Sequence, residues 1–253
     1  MRYMNYTKSE RIVLLLACAY AFIFGIPRVA GAMHIMEGYL PLTHGIAWDV
    51  VCVPFLVAGF ISIRRLVRNK KRVLILLAMS AAFIFVISSL KIPSVTGSCS
   101  HMTGTGLSAI LFGVPVTSVL GIIVLIFQAI LLAHGGLTTL GANTFSMAIV
   151  GPTLTWLLYM LGKKLRWNLR VNVFIAASLG CMFTYCVTAL QLAFAYPSET
   201  GGVMASAVKF LGVFAPTQVP LAIVEGLLTV LVIIGMQNFA RPELKELAFG
   251  EVK

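Results

Sequence analysis

Long apolar runs separated by short basic connections constrain this chain more than any other feature of its sequence. Hydrophobic residues make up 59% of the 253 residues, and charged residues make up only 11%. Backbone polar groups inside a membrane must pair within the protein, and these runs lack the alternation of barrel strands, which favours helices. The sequence therefore predicts an all-α integral membrane protein, a bundle of about seven transmembrane helices of which one is short.

The amino-terminal segment, 1–32, has the anatomy of a signal peptide. Basic side chains lie near its start, an uninterrupted apolar run follows at 12–26, and small residues at 30–32 suit signal peptidase. An uncleaved anchor is the alternative, but the run is shorter than the roughly 20 apolar residues that a spanning helix needs. We therefore expect cleavage after Ala32, with a signal peptide at 1–32 and a single transmembrane domain at 33–253.

The remaining apolar runs and basic loops predict one consistent topology. The expected passes are 46–63, 73–90, a short and a longer pass within 104–133, 144–161, 171–195 and 216–236. The basic connections at 64–72 and 163–170 and the charged tail then lie on one side, which the positive-inside rule makes cytoplasmic. The formal charge of +11 is explained by these loops, so no nucleic-acid partner is expected. We expect a multi-pass membrane protein with its mature N-terminus outside and its C-terminus in the cytoplasm.

The sequence offers little for covalent or nucleotide chemistry. Its five cysteines include no Cys-x-x-Cys pair, so we interpret them as packing residues. No glycine-rich phosphate loop ending in Gly-Lys-Ser or Gly-Lys-Thr occurs. If ATP drives transport here, another chain must bind the ATP.

Cleavage after Ala32 would place a histidine at the second position of the mature chain. The amine of Met33, the amide nitrogen of His34 and its Nδ1 atom can then form chelate rings around one ion. Such nitrogen ligation suits nickel or copper, accommodates cobalt, and suits magnesium and calcium poorly. The best candidate for a fourth nitrogen is His101, in a loop rich in small residues at 97–106. The sequence thus predicts a metal site at the outer face.

Other candidates near this site have weaker support. His134, flanked by glycines, is expected either to cap a helix or to orient a metal ligand. Glu37 is expected to orient His34 or to balance the charge of the metal, and the alternative is a solvated carboxylate. We interpret His44 as a surface residue. We interpret two methionines as packing residues rather than thioether ligands: Met36 and Met102.

Glu225 lies in the middle of the last apolar run, where an ionisable side chain is energetically unfavourable and usually faces the protein interior. We expect it to be protonated or to pair with a polar group on a neighbouring helix, such as Gln191 or Gln128. A structural role is favoured over a role in transport.

Three segments together carry a resemblance to a known family. The first, at 33–41, reads Met-His-Ile-Met-Glu-Gly-Tyr-Leu-Pro, and the second, at 100–113, begins Ser-His-Met-Thr-Gly-Thr-Gly and ends Ala-Ile-Leu-Phe-Gly. The third, at 132–144, reads Leu-Ala-His-Gly-Gly-Leu-Thr-Thr-Leu-Gly-Ala-Asn-Thr. In this combination the chain resembles the CbiM family, the substrate-binding membrane components of energy-coupling-factor (ECF) cobalt transporters, and its nickel relative NikM. The resemblance implies that Met33, His34 and His101 bind the metal. One departure is Met102, where the family form has proline, and the freer backbone there is expected to loosen the loop of His101.

The resemblance also implies a function and a set of partners. It implies a seven-helix subunit that captures Co²⁺ for cobalamin biosynthesis, has no resident cofactor and has no ATPase activity of its own. The partners it implies are a CbiQ-like transmembrane subunit, CbiO-like ATP-binding subunits and a small CbiN-like membrane subunit. Alternatives are Ni²⁺ uptake by the same kind of subunit, a membrane-embedded metalloenzyme, and a passive channel. The enzyme is disfavoured because no His-Glu-x-x-His helix occurs.

Overall fold

Helices account for nearly all the regular structure in the computed structural model, which describes residues 34–69, 72–93, 99–247 and 249. The expected signal peptide and Met33 lie outside the described residues. The elements are α1 (Leu42–Asn69), α2 (Val73–Ser89), β1 (Ile92–Pro93), β2 (Cys99–Ser100), α3 (Thr105–Phe112), α4 (Val114–Leu132), α5 (Leu140–Asn143), a π-helical turn π1 (Thr144–Val150), α6 (Gly151–Lys164), α7 (Leu169–Ala195), α8 (Gly202–Phe239) and α9 (Arg241–Glu246). The two short strands pair antiparallel.

Within the described residues, five helical segments are long and apolar enough to cross a membrane. They are Leu42–Arg68, Val114–Leu132, Leu140–Lys164, Leu169–Ala195 and Gly202–Phe239. Helix α2 is a shorter apolar helix of 17 residues. With α3 as the short member, these make seven helical segments, and the prediction of an all-α, multi-pass membrane protein is confirmed.

The boundaries of the last span differ from the expectation of 216–236. Helix α8 has 38 residues, and both Pro216 and Pro220 lie inside it. Proline removes a backbone donor and usually ends or kinks a helix in water, but neighbouring groups can compensate for it in a packed membrane bundle. Pro216 therefore does not mark the start of this helix, which begins several turns earlier, at Gly202.

The short helix α3 is only eight residues long, which is about 12 Å. Seven of its residues are buried, and they include Leu107, Ile110 and Leu111. These pack with Tyr159 and Met236 near the ends of α6 and α8. Helix α3 is thus enclosed by protein, and the loop before it, at 101–104, carries His101.

The basic connections gather at one end of the bundle, called the basic end below. One apolar cluster there joins residues from the start of α2 and α7 and the end of α6 and α8, together with Leu244 of α9. Arg72 and Glu246 approach to 3.9 Å at the same end. The histidines His34, His101 and His134 lie together at the other end, called the histidine end.

Glycines let the helices approach closely at several crossings. Gly59 of α1 packs directly on the backbone of Pro115 and on Val119 in α4, so a Cβ atom there would overlap the Pro115 carbonyl. Gly59 of α1 therefore serves contact within the chain.

We predict that Gly59→Ala destabilises the protein by about 1–3 kcal/mol, because the added methyl group has to displace backbone rather than a flexible side chain. The matched control is Gly235→Ala in α8, where a Cβ atom meets nothing within 4 Å. That variant should be neutral or stabilised by up to about 1 kcal/mol, since alanine favours helix. Thermal unfolding of both variants in detergent measures the difference, and equal unfolding temperatures would contradict the prediction.

Candidate metal centre

Three buried histidines from distant parts of the chain form one cluster. His34 precedes α1, His101 follows β2, and His134 follows α4. Each is at most 1% exposed, and their ring centroids are 4.3, 4.4 and 4.8 Å apart. One ring nitrogen from each lies within 4.8 Å of the other two, so a single ion can contact all three side chains.

Hydrogen bonding determines which nitrogen atoms of His34 and His101 are available. His101 Nδ1 lies 2.8 Å from the carbonyl oxygen of Met102, and a carbonyl only accepts, so Nδ1 carries the proton and Nε2 carries the lone pair. That Nε2 atom is 2.5 Å from His34 Nδ1. The Nδ1 atom of His34 is the one that a chelate with the chain terminus requires. The two nitrogens therefore face each other, with His34 Nδ1 donating to the lone pair of His101 Nε2, and an ion that binds both takes the place of that hydrogen atom.

His134 joins this pair with both of its ring nitrogens buried and without a hydrogen-bond partner among the described residues. Its backbone N–H donates to the Gln128 carbonyl at the end of α4, where Ala133 adopts a left-handed conformation with φ of 46°. A buried polar group without a partner is unfavourable by about 1–3 kcal/mol. The side chain is therefore better suited to a bound ion or to orienting a ligand than to capping a helix.

Glu37 lies on the same segment as His34. Its side chain attaches that segment to the loop that follows His134. Its carboxylate accepts hydrogen bonds from the backbone N–H groups of Leu137, at 2.5 Å, and Thr138, at 3.3 Å. Hydrogen bonds from Thr138 lower the pKa of Glu37, so the side chain is a carboxylate at neutral pH. Glu37 thus holds the segment of His34 by binding the backbone of Leu137 and Thr138, and not by binding the imidazole ring.

Two polar residues that the sequence analysis missed complete this attachment. Asn143 Oδ1 accepts from the N–H of Ile35 at 2.8 Å, and its Nδ2 atom donates to the Ile35 carbonyl at 3.0 Å. Thr139 Oγ1 donates to the same carbonyl at 2.7 Å. Both residues lie in the 132–144 segment, where polar side chains among apolar ones were the available signal. Asn143 directly precedes π1, and π-helical turns are frequent at functional sites.

Gly136 allows the two backbones to meet. A Cβ atom there would lie 2.5 Å from the Cα atom of Glu37, so any side chain at this position would push the 34–40 segment away.

The hydrogen-bond partners of Glu225 differ from those that the sequence predicted. Its partners are neither Gln191, which donates to the Ala142 carbonyl, nor Gln128, which donates to Ser88. Instead, the fully buried carboxylate of Glu225 accepts hydrogen bonds from Thr103 and Gly104, in the loop that carries His101. Sequence reasoning missed this contact because 122 residues separate the two positions.

The other candidate ligands lie outside the cluster. His44 is half-buried at the start of α1 and does not join the three histidines. The Met102 side chain is buried in an apolar cluster with Ile87 and Leu221, which agrees with the packing interpretation. Among the residues that the structure describes, Cys52, Cys181 and Cys186 form no disulfide bond.

The environment of the cluster favours neutral imidazoles. Burial is the leading cause that lowers the pKa of His34 well below its ordinary value, and that lowers the pKa of His101 to about 4 and of His134 to about 3. The neighbouring histidines and Lys91 add to this effect on His34 and His134. Neutral nitrogens are the form that binds a metal ion, so no protons have to be lost from these side chains at neutral pH.

The fold and this centre define a class: a multi-pass α-helical membrane protein with a buried cluster of imidazole nitrogens, the donor type that suits a borderline transition-metal ion. A family model described as the cobalt uptake substrate-specific transmembrane region, CbiM, matches residues 34–244. The chain belongs to this CbiM family.

Curated relatives and solved structures agree with this assignment. The chain is 62% identical over 240 residues to the cobalt transport protein CbiM of Lachnoclostridium phytofermentans, covering 95% of this chain and 96% of that protein. It is 56% identical over 224 residues to the cobalt transport protein CbiM of Clostridioides difficile, covering 88% and 90%. A crystal structure of a truncated transition metal transporter matches with a TM-score of 0.70 at 25% identity, covering 81% of this chain and 98% of that one.

The lowered pKa values predict a pH-dependent stability of the metal-free protein. Unfolded histidines take up protons below about pH 6.5, whereas folded His101 and His134 do so only near pH 4 and 3. The unfolded state thus binds more protons between these values, and stability falls as the pH decreases from 6.5 toward 4. Each histidine contributes up to about 2 kcal/mol of this loss between pH 6.5 and 5.

The variant His134→Phe tests this, because it fills the position and does not titrate. Its unfolding temperature should fall less steeply with decreasing pH than that of the unmodified protein, with the same groups titrating elsewhere in both. Parallel curves would show that His134 is not held neutral by the fold.

Proposed function

We propose that this chain is the substrate-specificity subunit of an ATP-driven ECF-type importer that takes up Co²⁺ for cobalamin biosynthesis. The observation that carries the proposal is the convergence of three buried imidazoles within 4.8 Å in a chain of the cobalt-uptake family. Its curated relatives are named as cobalt transport proteins. The chain itself performs no covalent chemistry and serves as the part of the transporter that recognises the ion.

The proposed ligands are the amine of Met33, the amide nitrogen and Nδ1 of His34, and Nε2 of His101. The 2.5 Å approach of His34 Nδ1 to His101 Nε2 supports this set, because two ligands of one ion must point to a common position. His134 and Glu37 support the site: His134 lies against both rings, and Glu37 anchors the segment of His34. The free terminus requires removal of the segment 1–32, which leaves 33–253 as the transmembrane domain.

ATP has to be bound by other chains, since this sequence has no phosphate-binding loop. The proposed partners are CbiQ-like, CbiO-like and CbiN-like subunits in a bacterial cytoplasmic membrane. The gathering of basic loops at the end opposite the histidines supports an orientation with the histidine end outside and the C-terminus in the cytoplasm.

Nickel is the second candidate cargo, because an all-nitrogen donor set binds Ni²⁺ more tightly than Co²⁺ on intrinsic affinity. A hydrolytic metalloenzyme is less well supported. Glu37, the carboxylate nearest along the chain to His34, is engaged with the backbone of Leu137 and Thr138 and is not free to act as a general base.

Metal titration of the purified protein tests the ligand set. The protein beginning at Met33 should bind Co²⁺, and one extra residue before Met33 should abolish tight binding, because it removes the terminal amine from the chelate. His34→Ala and His101→Ala should weaken binding by more than the roughly 10- to 100-fold that loss of an outer contact causes.

His44→Ala is the matched control, since His44 lies near the same segment but outside the cluster, and it should bind like the unmodified protein. Equal binding by the extended and unextended proteins would refute the terminal chelate. The same titration with Ni²⁺ decides which ion is preferred.

Transport is tested in proteoliposomes that contain this chain with or without its partner subunits. We expect uptake of radioactive Co²⁺ only with partners and ATP, and its loss in His101→Ala. Uptake by the chain alone without ATP would favour a passive channel instead.

A further inference from the structure

We propose that Glu225 is a positioning residue for the metal centre: its carboxylate holds the loop at 101–104 on helix α8 so that His101 presents Nε2 to the ion. The inference rests on the proposed function in one respect, that His101 is a ligand. No residue of α8 was expected to belong to the site.

Three hydrogen bonds join Glu225 to the loop. The N–H of Thr103 donates to Oε2 at 2.6 Å, the hydroxyl of Thr103 donates to Oε1 at 2.6 Å, and the N–H of Gly104 donates to Oε1 at 2.9 Å. All three donors face one side chain that is 0% exposed. A carboxylate accepts hydrogen bonds only, so its ionised form matches this arrangement of donors.

Further contacts between α8 and the loop lie at the other end of the loop. Gln218 Nε2 donates to the carbonyl of His101 at 3.3 Å, and Ser100 and Thr217 share a hydrogen bond of 2.7 Å. Gln218 and Glu225 lie two helical turns apart, about 10 Å along one face of α8. Extended backbone from His101 to Gly104 covers about the same distance. The loop is therefore bound to α8 on both sides of the ligand.

The link from Glu225 to the imidazole passes through one residue. Thr103, held by the carboxylate, follows Met102, whose carbonyl oxygen accepts from His101 Nδ1 at 2.8 Å. That hydrogen bond sets both the tautomer and the orientation of the ring. Gly104, which donates its N–H to Glu225, adopts φ of 68° at the start of α3, a conformation that glycine tolerates best. Release of the carboxylate would free the carbonyl that orients the ring.

The test measures Co²⁺ affinity and the visible absorption spectrum of bound Co²⁺ in full mature protein carrying Glu225→Gln. Glutamine keeps the shape but turns an NH₂ group toward one of the donors. We expect at least a roughly tenfold loss of affinity, as for other groups that orient a metal ligand, and a changed spectrum, because the position of the His101 nitrogen determines the ligand field. Glu225→Asp, which keeps the charge with a shorter reach, should be intermediate.

The matched control is Asn172→Ala. Asn172 is buried and donates to the Tyr159 carbonyl at 2.9 Å, near the basic end. Its removal should lower the unfolding temperature while leaving affinity and spectrum unchanged. A general loss of stability is thereby separated from a change at the metal.

The outcomes distinguish this inference from the proposed function. If the unmodified protein fails to bind Co²⁺ or Ni²⁺, the proposed function is wrong. If it binds and Glu225→Gln binds with the same affinity and spectrum, the role of Glu225 is refuted while the function stands.

Should Glu225→Gln not fold, Thr103→Val keeps both backbone donors to Glu225 and removes the hydroxyl, which donates to Glu225 and accepts from Thr105. It should then shift the spectrum to a smaller degree with a smaller loss of affinity, and an unchanged site in that variant would equally refute the proposal.

Discussion

The metal centre depends on pairing the polar backbone of two non-helical segments inside an apolar helical bundle. Helices satisfy their own backbone groups, but the segments that carry His34 and His101 cannot. Side chains pair with them instead: Asn143 and Thr139 bind the backbone of Ile35, and Glu225 binds the two N–H groups that follow Met102. The structure of the site therefore depends on the side chains that pair with this backbone as well as on the histidines themselves.

This requirement explains why polar residues of the interior are found beside the histidine segments. An isolated carboxylate in the middle of a membrane helix is highly unfavourable, and three donors compensate for Glu225. The imidazoles remain neutral because burial disfavours their charged forms. A neutral, tightly held group of nitrogens is a better partner for a borderline divalent ion than for a hard one.

Apolar runs and basic loops were sufficient to predict the helical architecture, because hydrophobicity over a span is a local property of the sequence. Counting passes also predicted that all four histidines lie at one face, and His34, His101 and His134 lie together at one end of the bundle. The start of α8 was missed, since Pro216 was interpreted as a boundary and the bundle instead accommodates it within a helix. The supports of the site escaped prediction because the pairs Ile35–Asn143 and Thr103–Glu225 are 108 and 122 residues apart, and only packing brings them together.

The large sequence separation of these contacts determines when they can form during biosynthesis. Helix α3, with eight residues, is too short to be retained in a bilayer on its own, and the loop before it pairs with a helix near the end of the chain. A ribosome has to synthesise α8 before Glu225 can meet Thr103, long after the histidines have been made. A chain that stops before α8 would contain every histidine but would lack the hydrogen bonds that hold the loop of His101.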